Sequence, residues 1–296
     1  MSRPQWPDSI NSPSGIPGTI HSIAQSLNRS IAQSSILNRH GRVHPTASSY
    51  NPTVSAPRVY SALGSSHDGN VEFTGDEAHR LRQVLRVASG DVVSVFDGRG
   101  HEWVGRVGVV AKHRVTVEGL EAITPVAERR VPITLAVGVL KGDQMDAVIR
   151  DATMLGAAAI LPLRTAHVTV PARAWQSGAT RERWQRVAIA SATQCRRAVV
   201  PDVLAVGDLD GCLREPVALR LMCVEPSLLG GAGDWKPEAA PESVQVLVGP
   251  EGGWAATEVE HAMAAGARLM CLGPRTLRAE TAPLVALSLV SAAWGW

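Results

Sequence analysis

Two short apolar runs near the C-terminus, each ending in a glycine-containing turn, constrain the fold more than any other feature. The first is VQVLVGPEGG, residues 244–253, and the second is LMCLGPRTLRAETA, residues 269–282. Short apolar runs bounded by glycine are typical of buried strands, and glycine lets backbone N–H and C=O groups lie close to a ligand because it has no Cβ. Two such turns, separated by one helix, predict a small-molecule site at the carboxyl edge of a parallel sheet.

Predicted strands and helices alternate from residue 133 onward, which indicates an α/β domain built on a parallel sheet. The strands are predicted at 133–139, 159–163, 218–224, 244–248 and 268–272, and the helices at 144–155, 181–193, 257–265 and 282–294. The sequence has neither the GxGxxG fingerprint nor the GxxxxGK(S/T) phosphate loop. The glycine turns therefore indicate neither a dinucleotide fingerprint nor a P-loop.

A smaller, β-rich unit precedes the α/β part. It is predicted to contain a helix at 76–87 and strands at 91–96, 102–110 and 114–118. The helix is expected to turn Leu81, Val84 and Leu85 inward, while Arg82 and Arg86 gather on or near it. These arginines can bind RNA phosphates or form an ordinary solvated helix face, and the pattern leaves both interpretations open.

Composition sets only broad limits on function. The 296 residues are 45% hydrophobic and carry a formal net charge of +2, which permits nucleic-acid binding without indicating it. No uninterrupted apolar stretch is long enough to predict a transmembrane helix. The cysteines, which are Cys195, Cys212, Cys223 and Cys271, form no CxxC pair and have no histidine at metal-ligand spacing. We therefore expect buried thiols and no metal site.

Residues 1–57 differ from the rest, because they are rich in Ser, Asn and Pro and contain Asp8 as their single acidic residue. A serine-rich, acid-poor segment with scattered arginines is typical of an organellar transit peptide, but Pro4 and Pro7 disrupt the start of the amphipathic helix of such a peptide. The other interpretation is a disordered extension. We expect a cytoplasmic protein, or one of the chloroplast or mitochondrion if the segment is a transit peptide.

The two glycine-turn motifs, in this order and at this spacing, resemble those of the ribosomal RNA small subunit methyltransferase E family. This family belongs to the SPOUT class of S-adenosylmethionine-dependent RNA methyltransferases, and the resemblance covers residues 58–296. It implies a PUA-like RNA-binding barrel at 58–127, a SPOUT-type knotted α/β methyltransferase domain at 128–296, and a homodimer. The implied reaction is methylation of N3 of a specific uridine in small-subunit ribosomal RNA, in an assembled or nearly assembled subunit.

The resemblance also assigns the glycine turns to the cofactor S-adenosylmethionine. The turn glycines are expected to form its walls, with apolar neighbours on both sides. The expected cofactor-binding residues are Val248, Gly249, Pro250, Gly252, Gly253, Leu272, Gly273 and Leu277.

The segment after the second turn contains the expected catalytic residues, Arg278 and Glu280. Methylation of N3 removes an imide proton, so that negative charge spreads onto the flanking carbonyl oxygens. An arginine fork is suited to stabilising such charge through paired hydrogen bonds, and this is the role expected of Arg278. Glu280 is expected to orient Arg278, because an ordinary carboxylate is a weak base for an imide. The sequence does not identify the general base.

Further residues are expected to contact RNA. Lys141 lies in the segment LKGD, and the cluster TQCRR supplies Gln194, Arg196 and Arg197 at the end of a predicted helix. The residues alone also permit purely structural roles. Lys141 can occupy a solvated turn, and the arginines can offset the dipole at the helix C-terminus.

Two other functions fit the same residues. One is a SPOUT enzyme with another target, such as a ribose 2′-oxygen or another base. The other is an RNA-binding assembly factor without catalytic activity, although intact glycine loops and Arg278 argue against it.

Overall fold

The computed structural model describes residues 56–62, 69–229 and 235–294. The question of a transit peptide in residues 1–57 therefore falls on a segment that, up to residue 55, lies outside the described residues. The described chain contains two sheets, one small and mostly antiparallel, the other larger and parallel throughout.

The small sheet has five strands in the order β1-β3-β4-β5-β2. They span Arg58–Tyr60 (β1), Val71–Thr74 (β2), Val92–Phe96 (β3), Glu102–Ala111 (β4) and Arg114–Ile123 (β5). Two register shifts interrupt the β4–β5 pairing, and such bulges increase the local twist and bend of a strand. Valines from all five strands, with Phe73 and Leu81, fill a separate small core.

The prediction of a helix at 76–87 is wrong in two respects: the α-helix is shorter, and Val84 does not face inward. Helix α1, Gly75–His79, continues into a π-helical turn, Arg80–Val84. Leu81 is fully buried, but Val84 is 67% exposed. A π turn contains more residues than an α turn, so the wider turn shifts the inward face away from Val84. The predicted helix also cannot continue through Arg86, because its φ of 54° is left-handed.

The large sheet has the strand order β12-β10-β11-β6-β7-β8, with β9 also paired to β7. Its strands are Ile133–Gly138 (β6), Ala159–Arg164 (β7), Asp202–Val203 (β8), Gly207–Asp208 (β9), Leu219–Val224 (β10), Val244–Val248 (β11) and Arg268–Cys271 (β12). The five strands predicted for the α/β part are thus confirmed to within a residue at each end. The two-residue strands β8 and β9 are too short to leave a pattern in the sequence.

Helices cover both faces of the large sheet. They are Gln144–Met154 (α2), Gly178–Cys195 (α3), Leu209–Arg214 (α4), Pro226–Leu229 (α5), Ala256–Ala264 (α6) and Ala282–Trp294 (α7). Alternate residues of β6, β10 and β11 belong to two different core clusters, one shared with α2, α3 and α7 and the other with α4 and α6. The result is a three-layer α/β arrangement. Helix α3 begins before the predicted residue 181, because Ser177 caps it by accepting a hydrogen bond from the Thr180 N–H.

The two sheets contact each other through the turn after β3 and the segment after α3. The N–H of Gly100 donates to the carbonyl of Ala198 at 3.1 Å, and the N–H of Val200 donates to the carbonyl of Gly98 at 2.9 Å. The Arg58 guanidinium of β1 donates to the carbonyl of Ala192 in α3 at 2.9 Å. Over the described part of the chain, no helix is both long and apolar enough to cross a membrane.

Candidate functional site

A cavity of about 610 Å³ lies at the carboxyl ends of β10, β11 and β12. This is the edge at which the two glycine turns predicted a small-molecule site. Its walls come from the segments that follow these three strands and from the start of α2. The lining residues are Gln144, Cys223–Leu228, Val248–Trp254, Leu272, Arg275–Glu280 and Ala282.

The turn after β11 is packed tightly on both sides. A Cβ built on Gly138, in the neighbouring strand β6, would lie 2.6 Å from the Pro250 nitrogen, and one on Gly252 would lie 2.8 Å from the His167 Cβ. The His167 Nδ1 is 2.8 Å from the Gly252 carbonyl oxygen. Gly253 has a φ of 69°, which favours glycine. The turn thus has one well-defined conformation, held from outside the cavity.

Trp254 joins this turn to the end of β10. Its indole N–H donates to the Cys223 carbonyl at 3.0 Å. A Cβ on Gly249 would lie 3.3 Å from the indole ring, so the absence of a side chain at Gly249 lets the indole pack against the turn. Sequence reasoning missed Trp254 and the Cys223–Leu228 segment as cavity residues. The carboxyl ends of neighbouring parallel strands share one edge of the sheet, but the sequence does not show which strands are neighbours.

Most of the predicted cofactor-binding residues line this cavity, namely Val248, Gly249, Pro250, Gly252, Gly253, Leu272 and Leu277. Gly273 is not among the lining residues. Its φ is 134°, and a Cβ there would meet nothing within 4 Å. Its carbonyl accepts a hydrogen bond from the Cys271 thiol at 3.1 Å. The positive φ of Gly273 favours glycine in this turn, and the space where a side chain would lie is open.

Arg278 and Glu280 lie together at the rim of the cavity. The Arg278 side chain is 84% exposed, the Glu280 side chain is 26% exposed, and their closest N–O distance is 3.9 Å. Glu280 also accepts a long hydrogen bond, 3.4 Å, from the Gln144 amide at the start of α2. Glu280 is thus placed between α2 and Arg278, whose guanidinium extends into solvent.

The residues predicted to contact RNA fall into three places in the fold. In the small unit, Arg82 is half-buried in the π-helical turn, and Arg86 is exposed just after it. Lys141 is exposed beside the cavity, and its backbone N–H donates to the Glu251 carboxylate at 3.1 Å. Gln194 is exposed at the end of α3, and Arg196 caps this helix with a left-handed φ of 63°.

The position of Arg197 argues against the RNA contact predicted for it, because its guanidinium points into the protein. Its side chain is only 9% exposed and lies 2.7 Å from the Glu128 carboxylate. It also donates to the carbonyls of Thr153 at 3.1 Å and Ala157 at 2.8 Å. These contacts tie the end of α3 to the end of α2 and to the segment before β6. In this position the guanidinium is not available to an RNA phosphate.

Three of the four cysteines, Cys212, Cys223 and Cys271, match the expectation of buried thiols. Burial raises the pKa of the Cys223 thiol to about 12, and it raises the pKa of the Cys212 thiol to about 11. Cys223 therefore lines the cavity as a neutral thiol at physiological pH and is not a nucleophile there. Cys271 is buried too, whereas Cys195 is half-buried.

A parallel α/β sheet with a glycine-lined cavity at its carboxyl edge, preceded by a small, mostly antiparallel unit, matches the architecture of SPOUT-class methyltransferases with a PUA-like domain. The comparisons agree with this class: the RNA methyltransferase domain model matches residues 127–291, and the RNA methyltransferase PUA domain model matches residues 73–118. The chain belongs to the ribosomal RNA small subunit methyltransferase E family.

Individual relatives support the assignment. The enzyme of this family from Synechocystis sp. is 34% identical over 245 residues, which is 81% of this chain and 78% of the relative. The Bacillus subtilis member is 31% identical over 226 residues, 74% of this chain and 88% of the relative. The structure of a member from Neisseria gonorrhoeae, bound to S-adenosylmethionine, is 31% identical with a TM-score of 0.72 and covers 81% of this chain and 98% of its own. A methyltransferase structure from Legionella pneumophila, also with bound S-adenosylmethionine, is 28% identical with a TM-score of 0.74, at 81% and 99% coverage.

Proposed function

We propose that this protein transfers a methyl group from S-adenosylmethionine to N3 of a specific uridine in small-subunit ribosomal RNA. The observation that carries the proposal is the cavity at the sheet edge, with Arg278 and Glu280 at its rim, in a chain of this family. The enzyme class and the cofactor rest on the relatives. The choice of the N3 atom rests on the resemblance to the family, and an arginine at the rim suits the charge that N3 methylation develops.

The cavity residues fit S-adenosylmethionine. The cavity volume of about 610 Å³ is within the usual range of small-molecule sites. Val248, Leu272 and Leu277 offer apolar walls for an adenine ring, and the carboxylates of Glu225 and Glu251 also line the cavity. Carboxylates suit a ligand that carries a positive sulfonium and an ammonium group. When bound, the cofactor supplies an electrophilic methyl group.

Arg278 is the residue best placed to stabilise charge on the target base. Uracil loses its N3 proton on methylation, and the negative charge is shared by the two carbonyl oxygens beside N3. The Arg278 guanidinium is exposed at the rim and keeps its donors available, since its contact with Glu280 is long, at 3.9 Å. It can therefore donate to those oxygens as the charge develops. Glu280, held from the other side by Gln144, orients Arg278.

We assign RNA contact to Arg82, Arg86, Lys141, Gln194 and Arg196. Cations and amides that contact phosphate or sugar fix the register of an RNA backbone and carry no sequence information themselves. Arg197 is left out because it is buried against Glu128. An assembled or nearly assembled small subunit is the substrate that we propose, because cations at separate places in the fold suit an extended RNA surface.

The domain boundaries proposed from the sequence are 58–127 and 128–296. They are supported by the two family-model matches. The PUA match ends at residue 118, and the methyltransferase match begins at residue 127. The trefoil knot of the SPOUT class is proposed for the second domain. A cytoplasmic location is proposed from the bacterial relatives, and an organelle remains the alternative if residues 1–57 are a transit peptide.

A homodimer is proposed through the face formed by α2 and α7. Met154 at the end of α2 and Leu289 in α7 are each 40% exposed. The Arg129 guanidinium joins these two helix ends, because it donates both to the Leu155 carbonyl and to the Ser291 hydroxyl. Exposed apolar side chains on two packed helices favour burial against a second copy.

Primer extension on small-subunit RNA from cells with and without the gene tests the reaction. N3 methylation blocks Watson–Crick pairing, so a stop that disappears in the deletion strain would identify the nucleotide. Nucleoside mass analysis separates N3-methyluridine from a ribose methyl, which would indicate another SPOUT target. Calorimetry with S-adenosylmethionine tests for an assembly factor without activity, since a vestigial cavity would release no heat.

A further inference from the structure

An aromatic pair lies on the surface of the small unit, at the start of β4. The rings of His101 and Trp103 have their centroids 5.9 Å apart with planes inclined by 32°. The His101 side chain is 68% exposed. The two residues are two apart along an extended segment, so their side chains lie on the same face of the sheet.

Trp103 has no part in the hydrophobic core. Trp175 and Trp184 belong to the main core cluster, and Trp235, Trp254 and Trp294 pack against core clusters. Trp103 belongs to none of the clusters among the described residues, and it is only half-buried. Tryptophan contributes most when its large apolar surface is covered, so an indole outside the core indicates a binding surface.

The imidazole of this pair is held in place. The His101 Nδ1 is 2.7 Å from an Asp97 carboxylate oxygen. The other oxygen accepts hydrogen bonds from the backbone N–H groups of Arg99 at 2.7 Å and His101 at 3.1 Å. Burial alone would raise the pKa of Asp97, but these hydrogen bonds outweigh it and hold the pKa below its ordinary value. The carboxylate therefore stays ionised and fixes the ring.

The turn that leads into the pair carries one cationic residue and is bonded to the segment after α3. Arg99 is exposed in the same turn. The backbone of this turn is bonded to residues 198 and 200, directly after the Gln194–Arg196 segment. The backbone bonds therefore anchor the turn that carries Arg99 and leads into the aromatic pair.

We propose that His101 and Trp103 form a stacking site for an unpaired base of the RNA substrate, with Arg99 of the same turn meeting a phosphate beside it. The inference rests on the proposed function in taking RNA as the substrate, and it adds a site for a single-stranded nucleotide in the small domain. Unstacked bases are recognised by aromatic faces and guanidinium planes, and a ring fixed in advance loses little entropy on binding.

The test is fluorescence anisotropy of the full-length protein with a labelled short oligouridine, and with the same strand in a duplex. His101→Gln removes the aromatic face but keeps a hydrogen-bonding group, and it should weaken single-strand binding roughly fivefold or more. His101→Phe keeps the aromatic face but loses the contact with Asp97, so it should bind better than His101→Gln and somewhat more weakly than wild type. Arg99→Ala should reduce the salt slope by about 0.7. His113→Gln, in the exposed turn between β4 and β5, is the matched control and should change nothing.

Several outcomes would overturn the stacking site. They are wild-type affinity in His101→Gln, equal losses in His101→Phe and His101→Gln, and a loss that is the same for duplex and single strand. A defect seen only with assembled subunits would indicate contact with a ribosomal protein instead. Methylation of small subunits by the wild-type protein is measured in parallel. If the wild type methylates while His101→Gln binds normally, the stacking site fails alone; if the wild type does not methylate, the proposed function fails.

Discussion

Arg58 and Glu102 form a two-pronged ion pair inside the protein, with N–O distances of 2.9 and 3.0 Å. Both residues are 5% exposed. The Arg58 guanidinium also lies 3.7 Å from the centroid of the Phe96 ring, and Glu102 accepts a hydrogen bond from the Ser94 hydroxyl. Each charge is thus paired and surrounded by further partners, which is the condition under which buried charges are tolerated.

Removing one member of this pair should destabilise the fold strongly. Arg58→Met leaves Glu102 buried without its counter-ion, so the free energy of unfolding should fall by about 3–5 kcal/mol. Urea denaturation measures it. Arg114→Met breaks an exposed pair with Glu72 and is the control, which should cost no more than about 1 kcal/mol. Equal costs for the two variants would contradict a stabilising role for the buried pair.

The same variant should show a characteristic pH dependence. Burial would raise the pKa of Glu102, but the hydrogen bonds from Arg58 and Ser94 outweigh burial and lower it. The pair's contribution is therefore fully present above the ordinary glutamate pKa of about 4.3, and it is lost as the pH falls through the lowered value. In Arg58→Met the unpaired carboxyl is protonated more easily. The stability gap between wild type and variant should thus be wide at neutral pH and narrow in acid, and a constant gap would refute this.

Crowding the turn after β11 should weaken cofactor binding. Gly249→Val places a side chain against Trp254 and the Gly253 backbone. Such overpacking costs about 1–3 kcal/mol unless the turn shifts to make room. The affinity for S-adenosylmethionine, measured by calorimetry, should fall about tenfold or more. Gly266→Ala is the control, since its φ is 83° but no atom lies within 4 Å of the added Cβ. It should lower stability without changing affinity; the reverse pattern would show that the turn does not shape the pocket.

Truncating Arg278 should slow the reaction far more than it weakens binding. Loss of one preorganised donor to a developing oxyanion typically costs about 3 kcal/mol, or roughly a hundredfold in rate. Arg278→Lys should recover part of the loss, since it keeps the charge without the fork. Single-turnover methylation with saturating S-adenosylmethionine and RNA measures this, with Arg275→Ala as a control on the same cavity. A near wild-type rate together with weak RNA binding would make Arg278 a positioning residue.

Neighbouring arginines at the end of α3 should behave differently. Arg197→Ala removes charged hydrogen bonds to Glu128 and two carbonyls, and it should lower the free energy of unfolding by about 2 kcal/mol or more. Arg196→Ala should mainly reduce RNA affinity and its salt dependence. Thermal denaturation and RNA titration of both variants separate the roles. If Arg197→Ala is as stable as wild type, the structural role is wrong.

Periodicity was sufficient for the longer strands and helices of the α/β part, because their signals are strong. Strand β11 and helix α7 are confirmed with the predicted bounds, since each is a mainly apolar segment next to a turn. Helix α1 was not predictable in the same way. Its change to a π turn, and the left-handed Arg86, depend on packing around Leu81, which no local pattern records.

The site was only partly predictable for a related reason. Glycine turns predict backbone that approaches a ligand, and the predicted Val248, Gly249, Pro250, Gly252 and Gly253 do line the cavity. Trp254 and Cys223 reach the cavity because β10 lies beside β11, and strand order is not written in local sequence. Arg196 and Arg197 are adjacent and identical in type, yet one caps α3 and the other turns inward to Glu128. Only the left-handed backbone at Arg196 separates them.

The hydrogen bonds between the turn after β3 and residues 198–200 join the two sheets into one structural unit. The Arg58 guanidinium makes further bonds of this kind. Removing the small sheet would therefore leave carbonyl and N–H groups of the α/β part without their partners. A fragment cut at the boundary near residue 127 would expose these groups and the surface around them. The two sheets should therefore unfold in one cooperative transition, and neither should serve as an autonomous module in a fusion or domain swap.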